Sequence, residues 1–295
     1  MDYYVHRYAI MYESYFQLGK EYYFLLHSEL KSSRPTLLFI HGLGDASVDY
    51  RDYLTSNLID RYNILVPDLL GYGKSSASSD YSFKHQVDGI EQHIFYLQKI
   101  CNVELSNFIL ISHSMGSIHA TLLCESSLKK LIKAFINVEG SITQFGSFIA
   151  EKMMNAIAEN KFPEWYKDFK QTQIYENLAQ KNISIRPYYA ALEFCQTEAF
   201  LENGKQMYLM SHELTGKYTH IIGKKYTALP MQKIYCYGDS LSKETIAFLH
   251  EHNLKSHHFK CNNHFLLSEC FNEFIIFIDE YIENLPSSES CRIKF

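Results

Sequence analysis

The sequence predicts an α/β protein with a mostly parallel central sheet, helices on both faces of that sheet, and a helical cap inserted into the second half of the chain. Short strand-like runs alternate with helical stretches in the first half, which is the pattern of a helix-covered parallel sheet. These runs are continuously apolar, as expected where both faces of a strand are buried. About ninety residues between predicted strands near positions 138 and 233 change to helical, aromatic-rich sequence, which indicates an insertion.

The first half carries the central strands and a crossover helix. Ser82 is positioned as an N-cap before a helical pattern that leads to the third strand, so we expect a helix between the second and third strands. Its apolar positions recur at helical spacing: Val87, Ile90, Ile94 and Leu97. The predicted central strands are residues 36–41, 63–68 and 107–112.

The second half continues the sheet after a further strand. The final helix, after Ser268, is expected to bury an apolar stripe made of Phe271, Phe274, Ile275, Ile278 and Ile282. We predict a core from 1–140 and 231–295 and a cap from 141–230, and we expect a loose tail over 285–295. The remaining predicted strands are 133–138, 233–237 and 255–260.

Composition excludes several classes of protein. The 295 residues are 46% hydrophobic and carry a net charge of −5, which is typical of a globular protein and gives no sign of a nucleic-acid partner. No run approaches the roughly 20 apolar residues that a membrane span needs. The seven cysteines are scattered and the polar N-terminus lacks a signal-peptide core, so we expect reduced thiols and a cytoplasmic location. The 14 histidines show no metal-ligand spacing; we expect no metal and no cofactor, and the sequence does not indicate an oligomeric state.

A strand-to-helix turn carries the candidate nucleophile. The apolar strand 107–112 runs directly into His113-Ser114-Met115-Gly116, and a helix-compatible stretch follows. A serine in a tight, strained turn needs small residues two positions on either side, so that strand and helix can approach each other. Ser112 and Gly116 meet that need. An ordinary turn would also accommodate these residues, so the other segments of the chain decide the interpretation.

Residues 112–116 resemble the Gly-x-Ser-x-Gly nucleophile elbow of the α/β-hydrolases, with Ser112 in place of the first glycine. Residues 41–44 (His-Gly-Leu-Gly) resemble the oxyanion loop of the same family, and residues 68–75 resemble its Asp-x-x-Gly-x-Gly-x-Ser turn. The resemblance covers residues 20–284, although the cap carries no motif. It implies that Ser114 is the nucleophile and that the backbone N–H groups of Leu43 and Met115 form the oxyanion hole. It also implies that His41, Gly42 and His113 lie at the substrate.

A serine nucleophile needs a histidine base, and that histidine needs a carboxylate to orient it. The family places the histidine in a loop after the last strand, which here is His264; His257 and His258 fall within the strand itself. Two carboxylates end neighbouring strands and compete for the third role. Asp239 follows the next-to-last strand and is favoured by the family's chain order, whereas Glu139 follows the preceding strand, where some members such as haloalkane dehalogenases carry the acid.

These residues imply a serine hydrolase that cleaves an ester-like small molecule through an acyl-enzyme on Ser114. The same triad would also serve a cofactor-free lyase or synthase, and a non-catalytic binding protein on this fold is a third alternative. Dehalogenase and epoxide hydrolase activities are disfavoured, because those groups require an aspartate at the elbow. Aromatic residues of the cap favour a hydrophobic substrate, although packing explains them at least as well: Phe145, Phe148, Phe162, Trp165, Tyr166, Tyr188, Tyr189, Phe194, Phe200 and Tyr208.

Overall fold

A computed structural model describes residues 10–286 and contains one eight-stranded sheet. The order across the sheet is β1-β2-β4-β3-β5-β6-β7-β8. Strands β3 to β8 are mutually parallel, and an antiparallel β1–β2 hairpin is added beside β4. The strands are β1 (Tyr12–Leu18), β2 (Glu21–His27), β3 (Pro35–Ile40), β4 (Asn63–Asp68), β5 (Ser106–His113), β6 (Ile132–Val138), β7 (Gln232–Tyr237) and β8 (Ser256–His258).

The helices cover both faces of the sheet and form the cap. The α-helices are α1 (Arg51–Thr55), α2 (Phe83–Cys101), α3 (Gly116–Leu123), α4 (Phe148–Ala158), α5 (Phe162–Asp168), α6 (Arg186–Phe194), α7 (Thr197–His212), α8 (Ile221–Ala228), α9 (Lys243–Glu251), α10 (Leu266–Glu269) and α11 (Phe271–Glu283). A π-helix spans Phe169–Ala179, and 3-10 turns span Ser47–Tyr50, Asn57–Asp60, Ser127–Lys130, Gln144–Ser147 and Ile183–Ile185.

The core lies in two layers, one on each face of the sheet. Alternate residues of a central strand enter opposite layers, as Leu110 and Ile111 of β5 show. Leu110 packs in the layer that includes α2 and the cap, whereas Ile111 packs in the layer that includes α1 and α11. Both faces are therefore buried, which explains why the central strands are continuously apolar in sequence.

The structure confirms the predicted fold class, and the predicted central strands agree within one residue. Ser82 caps α2 as expected, since its hydroxyl accepts a hydrogen bond from the His85 N–H. In α11, Phe274, Ile275 and Ile278 are buried. Strand β8 is shorter than the predicted 255–260, and the β1–β2 hairpin was not predicted.

The cap is formed by α4 to α8 and the π-helix, which all lie between β6 and β7 and inside the predicted interval 141–230. None of the helices in residues 10–286 is long and apolar enough to cross a membrane. The six cysteines within that range are free thiols. The predicted tail lies outside the described residues from 287 onward, as does the polar N-terminus.

Candidate active site

Ser114 lies between the end of β5 and the start of α3, in the left-handed backbone region at φ 50°. A non-glycine residue in that region carries backbone strain, which surrounding contacts must hold in place. The Ser114 N–H donates to the carbonyl of Val138 (3.0 Å), and the Ser114 carbonyl accepts from the Ser117 N–H (3.0 Å). These bonds place the serine beside the carboxyl end of β6.

The elbow requires glycine at position 116. A Cβ atom there would lie 2.3 Å from the carbonyl oxygen of Ile40 and 2.7 Å from that of His41. The helix therefore begins against the backbone at the end of β3, where a side chain does not fit. Ser112 occupies the place of the usual first glycine and is fully buried between Ile40 and Asn137 in the parallel ladder.

The buried His41 ring connects the loop after β3 to the loop after β4. The ring is fully buried, Nε2 accepts from the Leu69 N–H (3.0 Å), and Nδ1 donates to the carbonyl of Gly42 (2.9 Å). Burial lowers the pKa of His41 to about 4, so the ring is neutral near pH 7. Both ring nitrogens are committed to backbone groups. That His41 lies at the substrate stays a prediction.

Gly42 lies directly against the elbow. A Cβ atom at Gly42 would be 3.2 Å from Cβ of Ser114 and 3.3 Å from Nδ1 of His113. The loop that follows is held by the cap, because the Tyr188 hydroxyl donates to the carbonyl of Leu43 (3.1 Å). The oxyanion roles of the Leu43 and Met115 N–H groups stay predictions.

Asp68 organises the turn after β4. Its carboxylate accepts from the backbone N–H groups of Ser47 (2.6 Å) and Lys74 (2.8 Å), and Ser75 Oγ donates to its carbonyl. Burial raises the pKa of Asp68 to about 6, while these hydrogen bonds act in the opposite direction. The Asp-x-x-Gly-x-Gly-x-Ser turn thus fixes the segment that follows the His-Gly loop.

His264 is oriented by Glu139. The His264 Nδ1–H donates to Glu139 Oε2 (3.1 Å), and the Gly238 N–H donates to Glu139 Oε1 (2.7 Å). The Glu139 side chain is only 4% exposed. His264 Nε2 is buried and has no hydrogen-bond partner among residues 10–286. With the proton on Nδ1, the lone pair of Nε2 is free, which is the state that a general base needs.

The Asp239 carboxylate forms neither a hydrogen bond nor an ion pair with His264. Its Oδ1 accepts from His258 Nε2 (2.7 Å), and both side chains of this pair are more than two-fifths exposed. The preference for Asp239 over Glu139 is therefore corrected. Glu139 and Asp239 follow strands at the same edge of the sheet, but only the Glu139 carboxylate, after β6, bonds to His264.

His113 and Glu269 hold the His264 loop in place. His113 Nε2 donates to the carbonyl of His264 (2.8 Å), and the two ring centroids are 4.8 Å apart. Burial lowers the pKa of His113 to about 3, so this ring is a neutral support. That His113 lies at the substrate likewise stays a prediction.

The Glu269 carboxylate accepts from three side chains. Cys261 Sγ (2.7 Å) and Asn263 Nδ2 (2.5 Å) belong to the histidine loop, whereas Asn182 Nδ2 (2.9 Å) belongs to the cap. Sequence reasoning missed this residue, because an acidic residue in a short helix carries no motif. Glu269 thereby joins the cap to the loop of the catalytic histidine candidate.

A cavity of about 520 Å³ lies between the cap and the carboxyl ends of the strands, and Glu139 and His264 line it. Of the cap aromatics singled out in the sequence, Phe145, Phe148 and Trp165 line the cavity, whereas Tyr188 and Phe200 pack in the core. The cap thus supplies both a largely apolar wall and ordinary packing. Among the described residues, no group of three or more histidine, cysteine or acidic side chains is arranged to hold a metal ion.

Comparison with known proteins identifies the family. The α/β hydrolase fold family matches residues 35–215, more than half of the chain. The chain belongs to the α/β hydrolase fold family. An epoxide hydrolase of Caballeronia sordidicola is 30% identical over 95 residues, 32% of this chain and 28% of the relative. The probable lysophospholipase BODYGUARD 1 of Arabidopsis thaliana is 34% identical over 97 residues, 31% of this chain and 20% of the relative.

Each match to these α/β hydrolase relatives spans less than a third of the relative's length. Solved structures resemble the whole fold at low identity. An E-2-(acetamidomethylene)succinate hydrolase has a TM-score of 0.69 and 13% identity, with 93% of this chain and 100% of that chain covered. The esterase EaEST from Exiguobacterium antarcticum has a TM-score of 0.69 and 14% identity, with 92% and 99% covered.

Proposed function

We propose that this α/β hydrolase is a serine hydrolase that cleaves an ester-like small molecule through an acyl-enzyme on Ser114. The observation that carries the proposal is the Glu139–His264 pair, which leaves the buried Nε2 of His264 without a hydrogen-bond partner among residues 10–286. The His264 loop is bonded to His113, the residue that precedes the strained Ser114. A base in the correct tautomer next to a serine at an elbow is the arrangement that activates a hydroxyl.

The chemistry proceeds in two halves. Ser114 Oγ attacks the carbonyl carbon while His264 Nε2 accepts the serine proton, and Glu139 stabilises the resulting imidazolium. The N–H groups of Leu43 and Met115 stabilise the negative charge on the tetrahedral adduct. The adduct expels the alcohol or thiol, which takes the proton from His264. Water then attacks the acyl-enzyme, gives its proton to His264, and releases the carboxylic acid as Ser114 regains its proton.

Esters are favoured over the other substrates of the family. The solved esterase and the probable lysophospholipase are similar to this chain, and the apolar cap wall suits a hydrophobic acyl or alcohol group. The relationship to an epoxide hydrolase does not extend to the nucleophile, since that group requires an aspartate where this chain has Ser114. A cytoplasmic location stays a prediction.

Labelling with a fluorophosphonate probe tests the proposal. The probe phosphonylates an activated serine, so peptide mass spectrometry is expected to find the adduct on Ser114 of the wild type. The Ser114→Ala and His264→Ala variants are expected to lose labelling while keeping the wild-type melting temperature within a few degrees. Folded wild-type protein that is not labelled would contradict the acyl-enzyme and favour proton-transfer chemistry or a binding role.

A further inference from the structure

One basic side chain lies in the cavity wall away from the catalytic pair. The acidic or basic residues among the described lining residues are Glu139, His264 and Lys152. Glu139 is occupied by His264 and the Gly238 N–H. Lys152 forms no ion pair with any residue in the described part of the chain. Lys152 is an exposed residue, so the cavity has one solvated, unpaired positive charge at the edge of a mostly apolar wall.

The position of Lys152 relative to the reaction centre follows from helix geometry. Phe148 begins α4, and its ring centroid is 5.7 Å from that of His264 in an edge-on arrangement. Lys152 is four residues further along the same helix, so both side chains lie on one face, about 6 Å apart along the axis. Lys152 thus lines the cavity one helical turn beyond the ring that touches the candidate base.

Apolar side chains line the same cavity as Lys152. Phe148, Ile149 and Trp165 line the cavity beside Lys152. The lysine also borders a neighbouring surface depression with Glu164 and Asp168, but neither carboxylate forms an ion pair with it among the described residues, and Asp168 accepts from Gln173 Nε2 (3.1 Å). The ammonium group is thus free to meet an anion that enters the cavity.

We propose that Lys152 is a specificity-determining residue that binds a carboxylate at the far end of an otherwise apolar substrate. The preferred substrate is then a half-ester or half-thioester, with the scissile carbonyl at Ser114 and a short apolar chain along the cap wall. The inference rests on the proposed function, because it assigns the reacting end of the substrate to Ser114. It adds a charge requirement that the triad does not impose.

Matched esters test the charge requirement. The p-nitrophenyl ester of hexanoic acid and the mono-p-nitrophenyl ester of adipic acid have six-carbon acyl chains and differ in the terminal carboxylate. The measured quantity is the ratio of kcat/KM for the half-ester to kcat/KM for the hexanoate. In Lys152→Met this ratio is expected to fall by up to about fivefold, the upper range for an exposed charge pair, and in Lys152→Glu it is expected to fall further.

Lys167→Met is the matched control, because Lys167 is an exposed lysine of α5 that does not line the cavity. It is expected to leave the ratio unchanged. The wild-type ratio is expected to fall with added salt, as screening predicts. An unchanged ratio in both Lys152 variants would overturn the inference while hydrolysis of the hexanoate persists. If the wild type neither hydrolysed the hexanoate nor reacted with the fluorophosphonate, the proposed function itself would be overturned.

Discussion

Replacement of Glu139 by glutamine separates the two candidate acids. In the folded protein the Glu139 carboxylate lies 3.1 Å from His264 Nδ1 and accepts its proton. Glutamine keeps the shape of the side chain but removes the negative charge. Its amide nitrogen is also able to donate to Nδ1, which would place the histidine proton on Nε2, the atom that must accept the proton of Ser114.

The size of the effect follows from the charge pair formed during catalysis. When His264 takes the serine proton, the imidazolium and the carboxylate attract each other across 3.1 Å. With an effective dielectric constant of about 20, Coulomb's law gives about 5 kcal/mol, which corresponds to about a 10⁴-fold loss in rate. The same change in other serine triads has an effect of about that size.

Hydrolysis of p-nitrophenyl hexanoate measures the loss as kcat/KM. The kcat/KM of Glu139→Gln is expected to fall by about 10⁴-fold. That of Asp239→Asn is expected to fall by less than about threefold, because the Asp239 carboxylate is exposed and pairs with His258. Thermal melts of both variants provide the control for folding. A loss in Asp239→Asn equal to or greater than that in Glu139→Gln would show that Glu139 is not the acid that orients His264.

Three further changes test Gly116 of the elbow, the buried His119 of α3, and Glu269. Gly116→Ala is expected to destabilise the fold by about 1–3 kcal/mol in urea unfolding, because its methyl group meets backbone carbonyls. A loss below about 0.5 kcal/mol, the size of an ordinary surface substitution, would contradict this contact. Burial lowers the pKa of His119 from 6.5 to about 3, so stability is lost as pH falls below 6.5. His119→Leu is expected to reduce the pH slope of the unfolding free energy by about 1.4 kcal/mol per pH unit between pH 6 and 4, and an unchanged slope would exclude this assignment. Glu269→Gln is expected to lower kcat/KM about tenfold through a loosened histidine loop, whereas full activity with a lowered melting temperature would indicate a purely structural role.

The fold could be predicted from the sequence because its central strands are buried on both faces. Such strands give continuous apolar runs, and the parallel ladder of β3, β4 and β5 follows from them. The β1–β2 hairpin was missed because β1 is an edge strand with mostly exposed side chains, so neither strict alternation nor a continuous run marks it. The π-helix of the cap carries no distinct periodicity in sequence.

Only part of the candidate site could be predicted from the sequence. Ser114 and His264 stand in motifs or loops of fixed order, whereas Glu139 and Asp239 end neighbouring strands and are equivalent in a linear sequence. Glu139 accepts a hydrogen bond from the Gly238 N–H and has a left-handed backbone at φ 49°. Residue spacing in the sequence predicts neither feature.

Likewise, motif positions do not reveal that His41 and His113 are buried supports of the site. Their roles depend on hydrogen bonds to the backbone groups of Leu69, Gly42 and His264. Each of these bonds joins a ring nitrogen to a main-chain atom, which a one-dimensional pattern does not encode.

The acyl-enzyme itself is the most direct test of the account. Rapid mixing of the wild type with excess p-nitrophenyl hexanoate, followed by acid quench and peptide mass spectrometry, reports both the release of p-nitrophenolate and the site of acylation. We expect a hexanoyl group on Ser114 of the wild type. This group is expected to be absent in Ser114→Ala and strongly reduced in Glu139→Gln. Turnover of the ester without any acyl group on Ser114, or with the acyl group on another residue, would contradict it.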